Sequence, residues 1–249
     1  MANSLNFDTN DLSAYGLVLT HGNPQDFEQI SDSQLIEDTS YSFQPKRPPK
    51  PFRLEVAVTA ADRATLDGYL DSIKGIIVTE TATVLKFDTI TDRYWMAKLV
   101  TFDGGYRAKG YFSGVMVFRA DDPMAYDNTE TSSDHLINAD PDTVEETTGG
   151  TGYILPVWTL TAGENLVAVT IKLENQSTAE EIQWTGSLAN GEELEIDTVT
   201  WIVKKEGVAD MSSVTGVFPR LAPDLLNSIK VTAFSNTGTL NITYRDRWL

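Results

Sequence analysis

The chain has 249 residues, of which 41% are hydrophobic and 10% aromatic, and its 19 Lys and Arg against 36 Asp and Glu give a formal net charge of −17. This apolar content excludes a largely disordered chain, and the length allows two domains. The absence of cysteine excludes disulfides, zinc–thiolate sites and cysteine nucleophiles, and the acidity argues against nucleic-acid binding, which draws its affinity from clustered Lys and Arg.

The start of the chain carries no targeting signal. Met1–Asn6 has neither basic residues nor an apolar stretch, so it does not have the pattern of a signal peptide. No apolar run approaches the roughly 20 residues needed to cross a bilayer. We therefore expect a soluble protein that is made in a cytoplasm and has no membrane partner.

Two runs in the first sixty residues have the pattern of strands. Leu17–Leu19 is apolar, and Phe52–Thr59 alternates with period two, which puts four side chains on one face: Phe52, Leu54, Val56 and Val58. Between the two runs lies a segment with four prolines, Pro45–Pro51, which contains the one dense basic cluster of the chain: Lys46, Arg47 and Lys50. Because proline restricts itself and its preceding residue, we expect this segment to be extended.

The sequence predicts one helix, Ala60–Lys74. Its apolar residues recur at spacings of three and four, Asp62 lies near the start, and Lys74-Gly75 is typical of an end. The strands predicted after it are Ile76–Thr79, Thr83–Phe87, Arg93–Thr101 and Tyr111–Arg119. Gly104-Gly105 separates the last two as a hairpin connection would. One helix covering a strand-rich sheet indicates a β-barrel or sandwich-like domain at residues 1–126.

Residues 127–150 have the composition of an acidic linker. They are rich in Thr, Ser, Asp, Glu and Gly, and nine acidic residues fall between Asp121 and Glu146 with no Lys or Arg. Such a run is typical of a solvated loop, and the alternative is a surface that repels a polyanion. Gly149–Gly152 lacks the following Lys of a phosphate-binding loop, so linker flexibility explains its glycines better.

From residue 151 to 249 the pattern is entirely β. Val169, Ile171 and Leu173 share one face, and Asn190-Gly191 is typical of a turn. Further strands are predicted at Glu192–Asp197, Trp201–Val203, Ile229–Phe234 and Leu240–Tyr244. This spacing of short strands predicts a β-sandwich. The alternation continues to the end of the chain, so we expect Trp248 and Leu249 to be largely buried.

The chain offers little for catalysis or metal binding. His21 and His135 lie alone in polar stretches, and no serine lies in a Gly-x-Ser-x-Gly motif. Glu193, Glu195 and Asp197 share one face of a strand. They could form a glycosidase or calcium site, but the solvated face of a half-buried strand explains them better. We predict no catalytic, metal-binding or cofactor-binding residues and no cofactor.

Tryptophan supports a second hypothesis. Trp158, Trp184 and Trp201 could form a platform on which sugar rings stack, although tryptophans spread over strands are more often core or interface residues. This leaves a carbohydrate-binding, lectin-like adhesion module as the alternative function, with a glycan hydrolase using paired carboxylates as a further one.

Three blocks in the C-terminal half and three in the N-terminal half carry a resemblance. The blocks are Thr185–Asp197, Gly216–Pro223 and Tyr244–Leu249, and Tyr15–Leu17, Asp92–Trp95 and Phe118–Pro123. In this order they resemble the distal tail protein (Dit) family of long, non-contractile-tailed bacteriophages. Where that family commonly has a Gly-Asn style turn after the second proline of the FPxLxP block, this chain has Pro223–Asn227.

The resemblance implies a mainly β protein with an N-terminal ring-forming domain, one helix, and a galectin-like C-terminal β-sandwich. It implies a structural virion protein at the phage tail tip and no enzyme. The implied assembly is a homohexameric ring that joins the tail-tube protein to the tail hub, tail-associated or fibre protein, with DNA passing through its channel. We expect a negative or neutral channel, with Lys46, Arg47 and Lys50 on the outer wall or at a contact between rings.

Overall fold

The computed structural model describes residues 4–21, 48–234 and 237–249, and the chain divides into two compact units, Met1–Ala125 and Tyr126–Leu249. The described residues of unit 1 form α1 (Arg63–Ile77) and seven strands: β1 (Leu5–Phe7), β2 (Asn10–Asp11), β3 (Leu17–His21), β4 (Lys50–Thr59), β5 (Thr83–Phe87), β6 (Ile90–Ala108) and β7 (Tyr111–Ala120). A 3₁₀ turn, Leu12–Tyr15, precedes β3. Within the described residues α1 is the one α-helix.

The sheet of unit 1 is antiparallel, with the strand order β2-β1-β5-β6-β7-β4-β3. Strand β1 approaches β3, so the sheet curls around its core. The alternation in β4 is confirmed, because the four side chains predicted to share a face are all buried: Phe52, Leu54, Val56 and Val58. The opposite face of β4 exposes Arg53 and Glu55 to solvent.

Helix α1 is confirmed with shifted ends. Its N-cap is Asp62, whose Oδ1 accepts a hydrogen bond from the N–H of Thr65 at 2.8 Å. It continues past the predicted end at Lys74, because Ile73 and Ile77 are both buried on its inner face. The strand predicted at Ile76–Thr79 is therefore wrong, because Ile76 and Ile77 are helical and Val78 and Thr79 belong to no strand. Burial of one more helical turn outweighs the Lys-Gly end signal.

The hairpin between β6 and β7 turns later than predicted. Gly104 and Gly105 lie inside β6, opposite Gly114 and Ser113, and the turn itself is at Lys109-Gly110. A Cβ on Gly110 would lie 2.2 Å from the carbonyl oxygen of Ala60, so a side chain there would collide with the start of the helix connection. Gly104 permits close packing against β7, and neither of the two adjacent glycines makes a turn.

Unit 2 is a sandwich of two antiparallel sheets. One sheet has the order β10-β18-β12-β13-β17 and the other β16-β15-β14-β11-β19-β9. The strands are β8 (Ala125–Asp127), which begins at the unit boundary, β9 (Thr131–Leu136), β10 (Asp142–Thr147), β11 (Val157–Thr161), β12 (Leu166–Asn175), β13 (Glu180–Leu188), β14 (Glu193–Asp197), β15 (Ile202–Lys205), β16 (Val208–Ala209), β17 (Val214–Gly216), β18 (Leu226–Thr232), β19 (Thr239–Tyr244) and β20 (Arg247–Trp248). The inner faces form one core that includes Trp158, Leu173 and Ile242. The predicted mainly β fold with a C-terminal sandwich is confirmed.

The linker expected at residues 127–150 is wrong as a description of the backbone. The segment contains β9, which pairs with β19, and β10, which pairs with β18, so it supplies one edge strand to each sheet. Its acidic residues therefore belong to the sandwich. Unit 2 contains 7 Lys and Arg and 19 Asp and Glu, a balance of −12, against 12 and 17 in unit 1.

The end of the chain is only partly covered. Strand β20 is present, but Trp248 is half-buried and Leu249 is 64% exposed, so the expectation that both would be buried is wrong. The backbone ties the terminus down instead. The N–H of Leu249 donates to Oγ1 of Thr151 at 2.9 Å, and the N–H of Asp127 donates to the carbonyl of Asp246 at 3.0 Å.

Candidate functional site

The segment Gly216–Pro223, between β17 and β18, is fixed by backbone and side-chain hydrogen bonds. Ile154 and Leu221 exchange two N–H to carbonyl bonds of 3.0 Å, and the indole N–H of buried Trp158 donates to the carbonyl of Pro219 at 3.2 Å. Gly216 has a φ of +99°, and a Cβ there would lie 2.3 Å from the carbonyl oxygen of Glu181. Glycine is therefore required where the segment begins.

Two fully buried asparagines hold the end of this segment. Asn227 accepts from the N–H of Ala222 through Oδ1 at 2.8 Å and donates back to the carbonyl of Ala222 at 3.1 Å. Asn175 donates to Oδ1 of Asn227 at 3.0 Å and to the carbonyl of Arg220 at 2.6 Å. In the Pro223–Asn227 loop, Asp224 takes a left-handed φ of 48°. Asn227 thus closes the turn whose sequence departs from the family pattern.

Arg220 and Glu180 form an ion pair that is mostly shielded from solvent, with side chains 14% and 13% exposed. The Arg220 guanidinium donates to both carboxylate oxygens of Glu180 and lies 4.4 Å from the ring centre of Tyr153. The N–H of Arg220 also donates to Glu180, at 2.9 Å. Both charges are satisfied inside the domain, so the Gly216–Pro223 segment is a structural clamp of the sandwich.

Comparison with known proteins agrees with the resemblance that the C-terminal sequence blocks indicated. Residues 149–248 match the family model of the siphovirus-type tail component, C-terminal domain. The C-terminal part of the chain is thus similar to a family of phage tail components. The resemblance stated from the sequence is thereby confirmed. No curated protein matches the sequence.

Solved structures extend the Dit-like fold to the whole chain. The protein is similar to the crystal structure of SPP1 Dit, a hub adsorption apparatus protein of phages that infect Gram-positive bacteria, with a TM-score of 0.73, 14% identity and 100% of both chains covered. It is also similar to a chain of the phage P2 baseplate in its activated conformation with Ca, with a TM-score of 0.46, 11% identity and 98% of both chains covered. At 14% identity, the likeness to SPP1 Dit shows the fold.

The three carboxylates of β14 in this Dit-like chain lie on the outer face of their strand, opposite buried Leu194 and Ile196. Glu195 accepts from Nζ of Lys204 at 2.6 Å. Partial burial raises the pKa of Asp197, but hydrogen bonds from Thr200 outweigh it and lower that pKa below its ordinary value. Glu195 and Asp197 thus have partners within unit 2, as expected for a solvated face. Within the described residues no group of three or more possible metal ligands occurs.

The three tryptophans do not form a common platform. Trp158 and Trp184 are buried, and the indole N–H of Trp184 donates to Oδ2 of Asp210 at 2.9 Å. Trp201 is 55% exposed and packs edge-to-face on Phe218, with 5.4 Å between ring centres. The interpretation of the tryptophans as core residues is therefore correct for Trp158 and Trp184, whereas Trp201 is a surface residue.

His135 is not isolated in a loop. It lies on the inner side of β9, and its Nε2 is 3.0 Å from Oε2 of Glu146 on β10. Glu146 is buried and also accepts from the hydroxyls of Ser133 at 2.6 Å and Tyr244 at 2.9 Å. This carboxylate joins the edges of the two sheets. Sequence reasoning missed it because neither edge strand alternates apolar and polar residues. The side chain of His21 lies outside the described residues.

Gly149–Gly152 is also ordered by partners. The N–H of Gly149 donates to Oδ1 of Asp246 at 3.0 Å, and the N–H groups of Thr151 and Gly152 both donate to the carbonyl of Arg247. Gly150 has a φ of +75° and would place a Cβ 2.3 Å from that carbonyl oxygen. The glycines therefore let the backbone clasp the last strand, so the explanation by linker flexibility is wrong.

In unit 1, residues of the three blocks that carry the family resemblance lie at closely packed positions. Gly16 has a φ of +67° and a Cβ there would lie 2.3 Å from the carbonyl oxygen of Thr59. Trp95 and Phe118 are buried, and Trp95 packs against Phe52 at 5.4 Å. Within the described ranges no helix is long and apolar enough to cross a membrane.

Of the basic cluster, Lys46 and Arg47 lie outside the described residues. Lys50 starts β4, with Nζ 5.1 Å from the ring centre of Trp95 and 5.3 Å from that of Phe52. Burial lowers the pKa of the Lys50 ammonium below its ordinary value. Lys50 therefore packs its charge against aromatic rings of its own unit.

Proposed function

We propose that the protein is a structural component of the phage tail tip that assembles as a homohexameric ring. The observation that carries this proposal is the match of residues 149–248 to the siphovirus-type tail component, supported by the Dit-like fold of the full chain. In the proposal the ring joins the tail-tube protein on one side to the tail hub, tail-associated or fibre protein on the other. DNA passes through its channel without specific binding.

The proposal gives the ring contacts to the N-terminal domain, residues 1–126. In the described part of its sheet, β2 and β3 are terminal strands that each pair on one side. Unpaired strand edges favour pairing with another chain, and a cyclic assembly satisfies them without open-ended growth. The C-terminal domain satisfies its Glu146 and Gly216–Pro223 contacts internally, so the proposal assigns no ring contact to these groups.

The proposed channel is negative or neutral. At −17 for each chain, six copies carry a formal charge of −102, which opposes retention of DNA. On the uncovered face of the β4–β7 sheet, basic and acidic side chains are mixed: Arg53, Arg119, Glu55 and Asp103 are exposed, and Arg119 pairs with Asp121 at 2.8 Å. Neither sign dominates on that face, which suits a surface that DNA passes.

The native mass of the purified chain tests the ring. One chain weighs 27.5 kDa, so light scattering should give about six times that mass, and electron micrographs should show rings with sixfold symmetry. A protein that stays monomeric at high concentration contradicts the proposal. A ring that retards duplex DNA in a gel at physiological salt leaves the assembly intact and contradicts the passive channel.

The proposal assigns no enzymatic activity to the chain. The protein is synthesised in the host cytoplasm before it assembles into the tail. The lectin-like alternative loses its main support, because Trp184 is buried and cannot stack on a sugar. The native mass also distinguishes the two proposed functions, since a monomeric adhesion module needs no ring of six.

A further inference from the structure

One methionine of unit 2 completes the backbone hydrogen bonding of strand β15. Val203 is buried on this strand, and its carbonyl oxygen accepts from the N–H of Asp210 at 2.9 Å, just beyond the short pairing of β15 with β16. The N–H of Val203 donates to Sδ of Met211 at 3.2 Å. A thioether sulfur is a weak acceptor, and buried backbone N–H groups are usually paired with oxygen. The sulfur of Met211 therefore stands where a neighbouring strand would supply a carbonyl oxygen.

Met211 begins a 3₁₀ turn, Met211–Ser213, that connects the two sheets of the sandwich. Within the described residues the turn follows β16, the last strand of one sheet, and precedes β17, the last strand of the other. Its second anchor is Asp210, whose carboxylate accepts from the indole N–H of Trp184 on β13 at 2.9 Å and from the hydroxyl of Ser213 at 2.9 Å. The bond between Met211 and Val203 thus holds the turn to one sheet, and the bond between Asp210 and Trp184 holds it to the other.

Met211 is also the most accessible of the methionines that the structure describes. It is 44% exposed, whereas Met116 and Met124 are 0% and 5% exposed and Met96 is half-buried on β6. A thioether that solvent reaches is open to two-electron oxidation by peroxides. A lone pair of the sulfur attacks one peroxide oxygen, an S–O bond forms, the O–O bond breaks, and the remaining oxygen of hydrogen peroxide leaves as water. The sulfur loses two electrons and becomes a sulfoxide.

We propose that Met211 is the internal methionine that peroxides oxidise first in the folded chain, and that its sulfoxide releases the N–H of Val203. Oxidation withdraws electrons from the sulfur, which then no longer accepts the hydrogen bond, and it makes the side chain polar, so the sulfoxide oxygen turns to solvent. The 3₁₀ turn loses its anchor on β15 and keeps the bond between Asp210 and Trp184. The result is a reversible, redox-dependent loosening at one side of the sandwich, and it does not depend on the proposed ring.

Treatment of the full chain with hydrogen peroxide tests both parts of the proposal. Mass spectrometry of proteolytic peptides gives the rate of sulfoxide formation at each internal methionine, and we expect the rate at Met211 to exceed each of the others several-fold. Hydrogen exchange of the same oxidised protein, measured on peptides that cover β15, tests the consequence. The amide of Val203 should exchange about tenfold faster after oxidation, because a buried donor has lost its partner. Reduction of the sulfoxide by methionine sulfoxide reductases should restore the slow exchange.

The matched variants are Met211→Leu and Met96→Leu, since leucine and methionine have similar volumes. Leucine cannot accept the hydrogen bond, so the β15 peptides of Met211→Leu should exchange fast before treatment and change no further with peroxide. Met96→Leu should respond to peroxide as the parent chain does.

Oxidation of Met96 as fast as that of Met211 overturns the inference, and so does a Met211 sulfoxide that leaves the exchange of β15 unchanged. Peptides that cover β19 report whether the loosening is local. Equal acceleration there would mean global unfolding, which also contradicts the inference. If Met211→Leu does not fold, the response of the parent chain and of Met96→Leu still decides between these outcomes.

Discussion

The phenolic hydroxyl of Tyr106, near the tip of the β6–β7 hairpin, donates a hydrogen bond to Oδ1 of Asp67 on helix α1 at 2.6 Å. Arg63 completes the contact, because its guanidinium lies over the Tyr106 ring and its Nε donates to Asp67 at 3.2 Å. The hairpin of unit 1 is therefore fastened to the first turns of the helix by residues 39 positions apart in the sequence.

Tyr106→Phe should lower the melting temperature at neutral pH by a small amount that disappears in acid. The hydrogen bond from Tyr106 is the main reason why the pKa of Asp67 lies below its ordinary value. A lowered carboxyl pKa stabilises the fold above the unfolded pKa, near 3.9, and this contribution is lost as the pH falls through the folded pKa. Thermal melts from pH 7 to pH 3 measure it. Tyr111→Phe, in the same hairpin, is the matched control and should have no such pH dependence.

Gly104→Ala should destabilise unit 1, whereas Gly105→Ala should be close to neutral. A Cβ on Gly104 would lie 2.5 Å from the Phe112 ring and 2.7 Å from Cα of Gly114, whereas a Cβ on Gly105 would meet nothing within 4 Å. Overpacking of this kind costs about 1–3 kcal/mol. Urea unfolding of the two variants gives the difference, and equal midpoints would show that the two β6 glycines are equivalent.

Asn227→Ala should be among the most destabilising substitutions in unit 2. The side chain is fully buried and bonds both the N–H and the carbonyl of Ala222. Its removal leaves the N–H of Ala222 without this partner, whereas the carbonyl keeps the hydrogen bond from Oγ1 of Thr148 at 2.6 Å. A buried donor left without a partner costs about 1–3 kcal/mol. The free energy of unfolding, measured in urea, checks this. Asn190→Ala in the exposed turn is the control, and a similar loss there would contradict the clamp at the Gly216–Pro223 segment.

Tyr244 should make the sandwich sensitive to strong alkali. Burial, followed by the hydrogen bond to Glu146, raises the pKa of Tyr244 well above its ordinary value. Because the pKa is higher in the folded state, the protonated Tyr244 hydroxyl stabilises the fold. This contribution is fully present below the unfolded pKa, about 10, and is lost as the pH rises toward the folded pKa. We expect urea midpoints to fall above pH 10, and Tyr244→Phe to reduce that fall while lowering stability at pH 8. Tyr153→Phe, at a half-exposed tyrosine, should leave the alkaline fall unchanged.

Sequence alone determined the elements whose pattern is local. Period-two alternation fixed the inner face of β4, and spacings of three and four located helix α1, because one buried face imposes its own repeat on each element. The family resemblance came from blocks that the structure shows to be geometric necessities, such as Gly216 at its left-handed φ. In each case the constraint acts within a few neighbouring residues.

Tertiary structure decided what depends on distant partners. The inward side chains of strand β9 are polar, Ser133 and His135, so its sequence lacks the apolar alternation of a strand and resembles a linker. In the folded chain both side chains hydrogen-bond to Glu146, and β9 pairs with β19. The sequence Gly104-Gly105 has the pattern of a turn, but in the folded chain it lies within β6, where Gly104 faces Gly114 of β7. Trp158 is buried because it lies in the core between the two sheets, whereas Trp201 lies in a turn and stays 55% exposed. Edge strands and surface patches are defined by the chain that lies beside them, and that information is not local.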